Sequence, residues 1–200
     1  MNSSPFNISD QHESVEHKII VVLERISEAF RVLLWNESKE HSLSPIQVQV
    51  LIFLHYHSAD KRKVSHLAKE FNVTKATISD TVKTLEKKQL ISKSYEPDDA
   101  RSFTIDLTAK GIEVASRTSH FTKEIQTPIN KLPQQEKENL LLNLIGVIHH
   151  LNQAGVISIQ RMCLTCSFYR KNDNGHYCNL LKQPLNDEEL RVDCPEHVLN

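Results

Sequence analysis

A mainly α fold with one small β-hairpin and a compact cysteine-rich C-terminal module is what this sequence predicts, on three observations. Apolar residues recur at helical spacing along most of the 200 residues, strict alternation is confined to a stretch near residues 91–107, and all four cysteines fall in the last forty positions. A content of 39% hydrophobic and 24% charged residues is ordinary for a globular chain, and only four glycines interrupt it. No apolar run reaches bilayer-spanning length, and residues 1–10 lack the basic and apolar regions of a secretory signal, so the expected compartment is the cytoplasm, with no membrane partner. Structural disulfides are disfavoured there, which turns four clustered cysteines toward metal or redox chemistry.

Val15, Ile19, Val22, Leu23, Ile26, Phe30, Leu33 and Leu34 write a long first helix whose apolar face serves as core or interface. Ser44-Pro45-Ile46-Gln47 has the form of a helix start: Ser44 can accept from the third amide, Gln47 can reach back, and Pro45 sits where a missing N–H costs nothing. That helix runs through Val48, Leu51, Phe53 and Leu54 to His55-Tyr56-His57, where histidines meeting the helix dipole are a simpler reading than metal ligands.

Val64 to Phe71 reads as a short helix, Asn72-Val73-Thr74 as a break, and Lys75 to about Lys88 as a second helix, which together make a helix-turn-helix. In the second helix Ile78, Val82 and Leu85 form the stripe that must face the core. A 3.6-residue repeat then turns Ala76, Asp80, Lys83, Thr84 and Lys87 to the opposite side, flanked by Thr77 and Ser79. Thr74 is the expected N-cap, and the amides of that first turn suit phosphates or base edges. From Ile91, Lys93 and Tyr95, across Glu96-Pro97-Asp98-Asp99-Ala100, to Arg101, Phe103, Ile105 and Leu107, the pattern is a hairpin. Placed directly after a helix-turn-helix it is a wing, and Arg101 can reach a minor groove from it. An ion pair of Arg101 with Asp98 or Asp99 is compatible with that role, since a carboxylate would aim the guanidinium.

Charge supports the same assignment. The net charge is only -1, yet residues 61–101 hold ten Lys/Arg against six Asp/Glu while residues 1–60 hold four against eight. A basic block within an acidic chain is the electrostatic footprint of phosphate contact, although a solvated lysine-rich face would give the same count.

The run from Thr77 through Ile91, the Asp99-Ala100-Arg101 of the wing and Leu107-Thr108-Ala109-Lys110-Gly111 together resemble the MarR-type (multiple antibiotic resistance regulator) winged-helix family, over about residues 12–155. The resemblance implies a homodimeric transcription regulator on pseudo-palindromic double-stranded DNA. It implies an interface built from the first and last two helices, and a small-molecule, redox or metal effector. It places Lys75, Ala76, Thr77, Ser79, Asp80 and Lys83 at base edges and phosphates, and Arg101 in the wing contact with Asp99 positioning it. Three positions depart from the family pattern. Gln89 stands where glycine is frequent, which predicts a helix end without the left-handed cap. Asp80 replaces a frequent basic residue and must accept from a cytosine amino group or pair with Lys83. Ala100 replaces the second basic residue of the wing.

Thr108 caps a helix expected to run to about residue 127, where Pro128 interferes, and Leu132-Pro133 opens another with Leu141, Leu144, Ile145, Ile148 and Leu151 on one stripe. Either the same helix of a second subunit or the folded-back tail must cover so much apolar surface. The tail reads Cys163-x-x-Cys166, eleven residues, Cys178, fifteen residues, Cys194-Pro195. Four thiols that close in sequence make a tetrahedral zinc site easy to build, and zinc is the expected cofactor. Because the knuckle is not repeated and Cys194-Pro195 is similar to ferredoxin-like spacing, an iron–sulfur cluster is the alternative, with metal-free thiols a third reading. His176 and His197 are substitute ligands or surface groups. Phe168, Tyr169, Tyr177, Leu180, Leu181, Leu185 and Val192 offer only a miniature core, so a bound metal would supply much of the module's stability.

The expected architecture is therefore an N-terminal dimerisation helix (1–42), a winged helix-turn-helix (43–108), C-terminal dimerisation helices (109–157) and a four-cysteine metal-binding module (158–200). A regulator whose tail is structural or sensory is the leading function; a protein-interaction scaffold without an operator is the other. No nucleophile–base pairing, phosphate loop or metal-hydrolase signature points to an enzyme.

Overall fold

The computed structural model describes residues 3–12, 14–96, 99–158, 160–172 and 175–200; the side chains of Glu96, Asp99, Ala100 and Arg101 also fall outside the description. A single turn, α1 (Ile8–Gln11), precedes the long α2 (Val15–Glu40), which starts at Ser14, whose hydroxyl accepts from the His17 amide. Only Leu34 and Ser38 of α2 are buried, while Ile19, Ile26 and Phe30 are 53%, 42% and 40% exposed. The apolar face of α2 thus points away from this chain's own core.

The middle of the fold is α3 (Pro45–Tyr56), opened by the Ser44 amide donating to the Gln47 side chain at 3.1 Å. It is apolar on nearly every side, with Val48, Val50, Leu51, Phe53 and Leu54 buried, as a helix surrounded by protein must be. A short 3-10 turn, Ala59–Lys61, leads to α4 (Val64–Glu70), a break at Asn72 (φ 55°) and α5 (Lys75–Lys87). Then β1 (Ile91–Glu96) and β2 (Asp99–Leu107) pair antiparallel, Ile91 facing Leu107, Lys93 facing Ile105 and Tyr95 facing Phe103, with a register shift between Tyr95 and Glu96. The Ile105 amide donates to the Arg62 carbonyl at 3.0 Å, tying the wing's base to the body. Leu51, Leu54, Leu67, Ile78, Val82, Leu85, Ile91 and Ile105 meet in one core, where full burial of each aliphatic side chain stabilises by about 1.5–3 kcal/mol.

Two expectations about helix ends are corrected. Gln89 does adopt the left-handed conformation, with φ 59°. The Leu90 amide reaches back to the Leu85 carbonyl at 3.0 Å and the Gln89 amide to Glu86 at 2.9 Å, the paired bonds of a Schellman cap. Burial of Leu90 and Ile91 (4% and 2% exposed) dictates where the chain must turn, and this overrides the local preference against a non-glycine residue there. The helix after the wing is also not continuous to Pro128. It is α6 (Ala109–Thr118), a turn, and α7 (Lys123–Asn130), with Pro128 inside α7. Thr118 donates to the Val114 and Ala115 carbonyls and Ser119 to that of Ser116, and such hydroxyl bonds compete with the helix ladder at the break. Ala115 is buried in the winged-helix core, so α6 belongs to that body as much as to the helices that follow.

The last long helix, α8 (Gln134–Gln153), is covered by the tail on one side only. Ile145 forms a core with Met162, Leu185 and Leu190, flanked by Leu141, Leu142, Ile148 and Tyr169. Leu140, Leu144 and Val147 stay 40%, 37% and 47% exposed. The tail itself is a three-stranded antiparallel sheet, β3 (Tyr169–Asn172), β4 (Gly175–Cys178) and β5 (Gln183–Leu185), between short 3-10 turns at Cys163–Thr165 and Asp187–Glu189. Asp173 and Asn174, at the expected turn, lie outside the described residues. Its core is not the self-contained one expected: α8 contributes Ile145, whereas Leu180, Leu181 and Val192 are exposed. No helix among the described residues is long and apolar enough to cross a membrane.

Candidate nucleic-acid interface and the cysteine cavity

Helix α5 is amphipathic in the sense its sequence demands. Ile78, Val82 and Leu85 are at most 1% exposed, while Lys75, Ala76, Thr77, Asp80 and Lys83 face solvent and Ser79 and Thr84 are half-buried. Thr74 caps the helix, accepting from the Thr77 amide at 3.1 Å, and its hydroxyl lies 2.9 Å from that of Thr77. Lys83 reaches Asp80 at 3.2 Å, one of the two partners its sequence position allowed. Both side chains are more than 70% exposed, so the pair holds little energy and either partner is free to exchange it for a ligand. Thr81 and Thr84 spend their hydroxyls on the Thr77 and Asp80 carbonyls.

The backbone of Asp99 and Arg101 lies in β2, but their side chains lie outside the described residues, as do Pro97 and Asp98 entirely. What is described of the wing is its stiffening: Tyr95 and Phe103 rings stand 5.6 Å apart, and Lys93 lies over the Phe103 ring while pairing with Glu86 of α5 at 2.6 Å. The wing is thereby braced on α5.

Sequence reading missed a clasp behind the helix-turn-helix. Arg161, 8% exposed, grips Glu70 of α4 at 2.6 and 3.1 Å and Asp193 of the tail at 2.6 and 3.1 Å. Two-pronged guanidinium–carboxylate pairs of this kind are the stronger class of charged hydrogen bond. His57 at the end of α3 stacks on Phe53 with ring centroids 3.7 Å apart and meets Asp193 at 2.7 Å. Burial works to raise the Asp193 carboxyl, but the bonds from Arg161 and His57 outweigh it and hold the group down to about 2. Nearby, Ser158 donates to the Lys69 carbonyl at 2.9 Å and Asn72 donates to that of Val156 at 3.2 Å. The Arg161 ion pairs join residues 91 and 32 positions apart, and no local pattern in one sequence pairs charges over such distances.

Cys163, Cys166, Cys178 and Cys194, the expected metal ligands, are all free thiols lining one cavity of about 30 Å³. Backbone bonds fix the strands that carry them: Cys163 N–H to Arg191, Cys194 N–H to Arg161, and the Tyr169–Cys178 pairing of β3 with β4. The Arg191 amide donates to Cys163 Sγ at 3.3 Å and its guanidinium to Cys194 Sγ at 3.6 Å. Burial pushes the Cys163 thiol up, the Arg191 amide opposes this, and the neighbouring thiols push it up again. Among the described residues no three His, Cys, Asp or Glu side chains converge tightly enough to hold an ion as they stand. His176 and His197 are engaged elsewhere, His176 with Tyr169 at 2.6 Å and Asp187 at 3.2 Å, His197 with the Thr165 hydroxyl at 3.0 Å.

Residues 43–103 match the MarR family. Structures of Staphylococcus aureus MepR are similar to this chain. MepR in complex with DNA is 26% identical, with a TM-score of 0.58, over 66% of this chain and 96% of that one. MepR in a DNA-binding conformation is 25% identical, again with a TM-score of 0.58, over 66% and 98%. A third structure, described as MepR, a transcription regulator of the multidrug efflux pump MepA, is 25% identical with a TM-score of 0.52 over 65% and 96%. The comparison with curated proteins gave no match. The helix-turn-helix braced by its wing lies within the segment that matches the MarR family, and its fold is similar to that of MepR.

Proposed function

We propose that this protein is a transcription regulator that binds double-stranded DNA as a homodimer, with α5 in the major groove and the wing beside it. One observation carries the reading: α5 turns Lys75, Thr77, Asp80 and Lys83 outward while its aliphatic side is locked in the core, so a rigid element presents charge and amides to a duplex. The similarity to MepR, solved with DNA, supports it. The exposed faces of α2 and α8 are too apolar to leave in water, and a second copy is the occupant that the family architecture suggests. The tail is read as a four-thiolate metal module docked against the helix-turn-helix, zinc being the ion its sequence suggests. A small-molecule or redox effector would act by changing the spacing of the two recognition helices. No catalytic role is assigned.

Gel shifts at low ionic strength, using fragments selected from genomic DNA, test the reading. Lys83→Ala is expected to cost about 1–3 kcal/mol if the lysine reads a base edge, and Lys75→Ala to reduce the salt slope by about 1 if it neutralises a phosphate. Absence of any shifted fragment, or wild-type affinity and salt slope in both variants, refutes it. Sedimentation at twice the 23.0 kDa chain mass is the expected result for the dimer.

A further inference from the structure

We infer that the four-thiol cavity of the tail is the seat of an iron–sulfur cluster rather than of a single zinc ion. This rests on the reading of the tail as a four-thiolate metal module and is independent of DNA binding. The argument is one of size. Zinc holds thiolates at about 2.3 Å, which in a tetrahedron leaves neighbouring sulfurs roughly 3.8 Å apart, in mutual contact with no space but the ion's own. Here the four thiols stand around a cavity of about 30 Å³, whereas roughly 10–15 Å³ on such a measure already admits a water molecule. The thiols are not drawn into a single-ion cage, in keeping with the lack of any convergent set of three ligands among the described residues. Nor is collapse easy, because the Cys163 and Cys194 segments are each tied by backbone hydrogen bonds and Cys178 by the sheet register.

A cluster removes the mismatch, since its four thiolates are shared among several irons, one to each in a four-iron cluster and two to each in a two-iron cluster, and are held apart by the cluster's width. The surroundings suit one. Phe168, Leu180 and Leu181 supply apolar walls that limit water at the inorganic core. Arg191 donates from its amide and its guanidinium to two of the thiol sulfurs, the kind of bond that stabilises electron-rich thiolates and tunes a cluster's potential.

The test is elemental analysis of the full chain purified without oxygen, and again after reconstitution with ferrous iron and sulfide. The expected result is a brown protein with visible absorption that bleaches on reduction. It should carry iron and acid-labile sulfide in equal amounts, about two or about four of each per chain, and Cys178→Ser should lose most of both. If Cys178→Ser misfolds, the stoichiometry of the wild-type protein still decides. A colourless protein with about one zinc and no sulfide overturns the cluster while leaving the metal module standing. A protein that takes up neither zinc nor iron with sulfide overturns both.

Discussion

Replacing Gly111 with alanine sets a local gain against a tertiary loss. In a free helix interior the change stabilises by about 1 kcal/mol, because alanine restricts the unfolded chain. In this structure a Cβ on Gly111 would stand 1.9 Å from the Leu90 carbonyl oxygen, 2.9 Å from its carbon and 3.2 Å from Leu107 Cδ2. Even favourable C–H···O contacts keep carbon and oxygen about 3.3 Å apart, so the start of α6 would have to retreat by more than about 1 Å. The obstacle is backbone, and it cannot rotate away. Retreat would strain the same junction's other bonds, Thr108 N–H to Leu90 at 3.1 Å and the Thr108 hydroxyl to Gln89 at 2.8 Å. Overpacking at about 1–3 kcal/mol and two weakened bonds at about 1 kcal/mol each, less the helix gain, leave a net loss of about 2–4 kcal/mol. Urea titration read by circular dichroism measures this, with Gly146→Ala as the control. A Cβ at Gly146 meets nothing within 4 Å, so that variant should equal or slightly exceed the wild type. A Gly111→Ala midpoint at or above the wild-type value would refute the steric argument.

Three further outcomes are expected. Gln89→Gly should raise stability by a few tenths to about 1 kcal/mol, since the residue already occupies left-handed space at φ 59°; a lower midpoint would mean that the Gln89 side chain matters more than its backbone. Arg161→Met should lower stability by about 2–3 kcal/mol, the low end for a broken buried pair because Asp193 is 41% exposed, and should speed hydrogen exchange in α4. Unchanged exchange in α4 would show that the tail does not brace the helix-turn-helix. Burial lowers the His66 imidazole from its ordinary 6.5, with Arg161 adding to the effect and Glu70 opposing it. Because the folded state resists that proton, stability should be complete above about pH 6.5 and fall progressively as pH drops toward the lower folded value, and His66→Gln should flatten the slope. An identical pH profile in the variant would assign the acid sensitivity to other groups.

The winged helix was legible in one dimension because its signals are local. Ile78, Val82 and Leu85 recur at helical spacing, Thr74 and Ser44 stand at helix starts, and alternation around Lys93 and Ile105 marks the hairpin; each depends on neighbours within a turn or a strand. The same locality explains what went astray. Propensity argued against a left-handed Gln89, and no nearby residue reveals that Leu90 and Ile91 must be buried in a core built from α3 and α4. Pro128 marks a helix end by local rules, although hydroxyl competition at Thr118 and Ser119 ends the helix sooner.

From its sequence alone, then, this protein's helical frame, its helix-turn-helix and the gathering of its thiols in the tail could be read, because periodicity and spacing are properties of adjacent residues. Only the three-dimensional arrangement decided that the tail lies on α8 and behind α4, that Arg161 joins Glu70 to Asp193, and that the four thiols line one cavity. Those features arise from contacts between segments far apart in the chain, whose partners are selected by burial and geometry and leave no periodic trace.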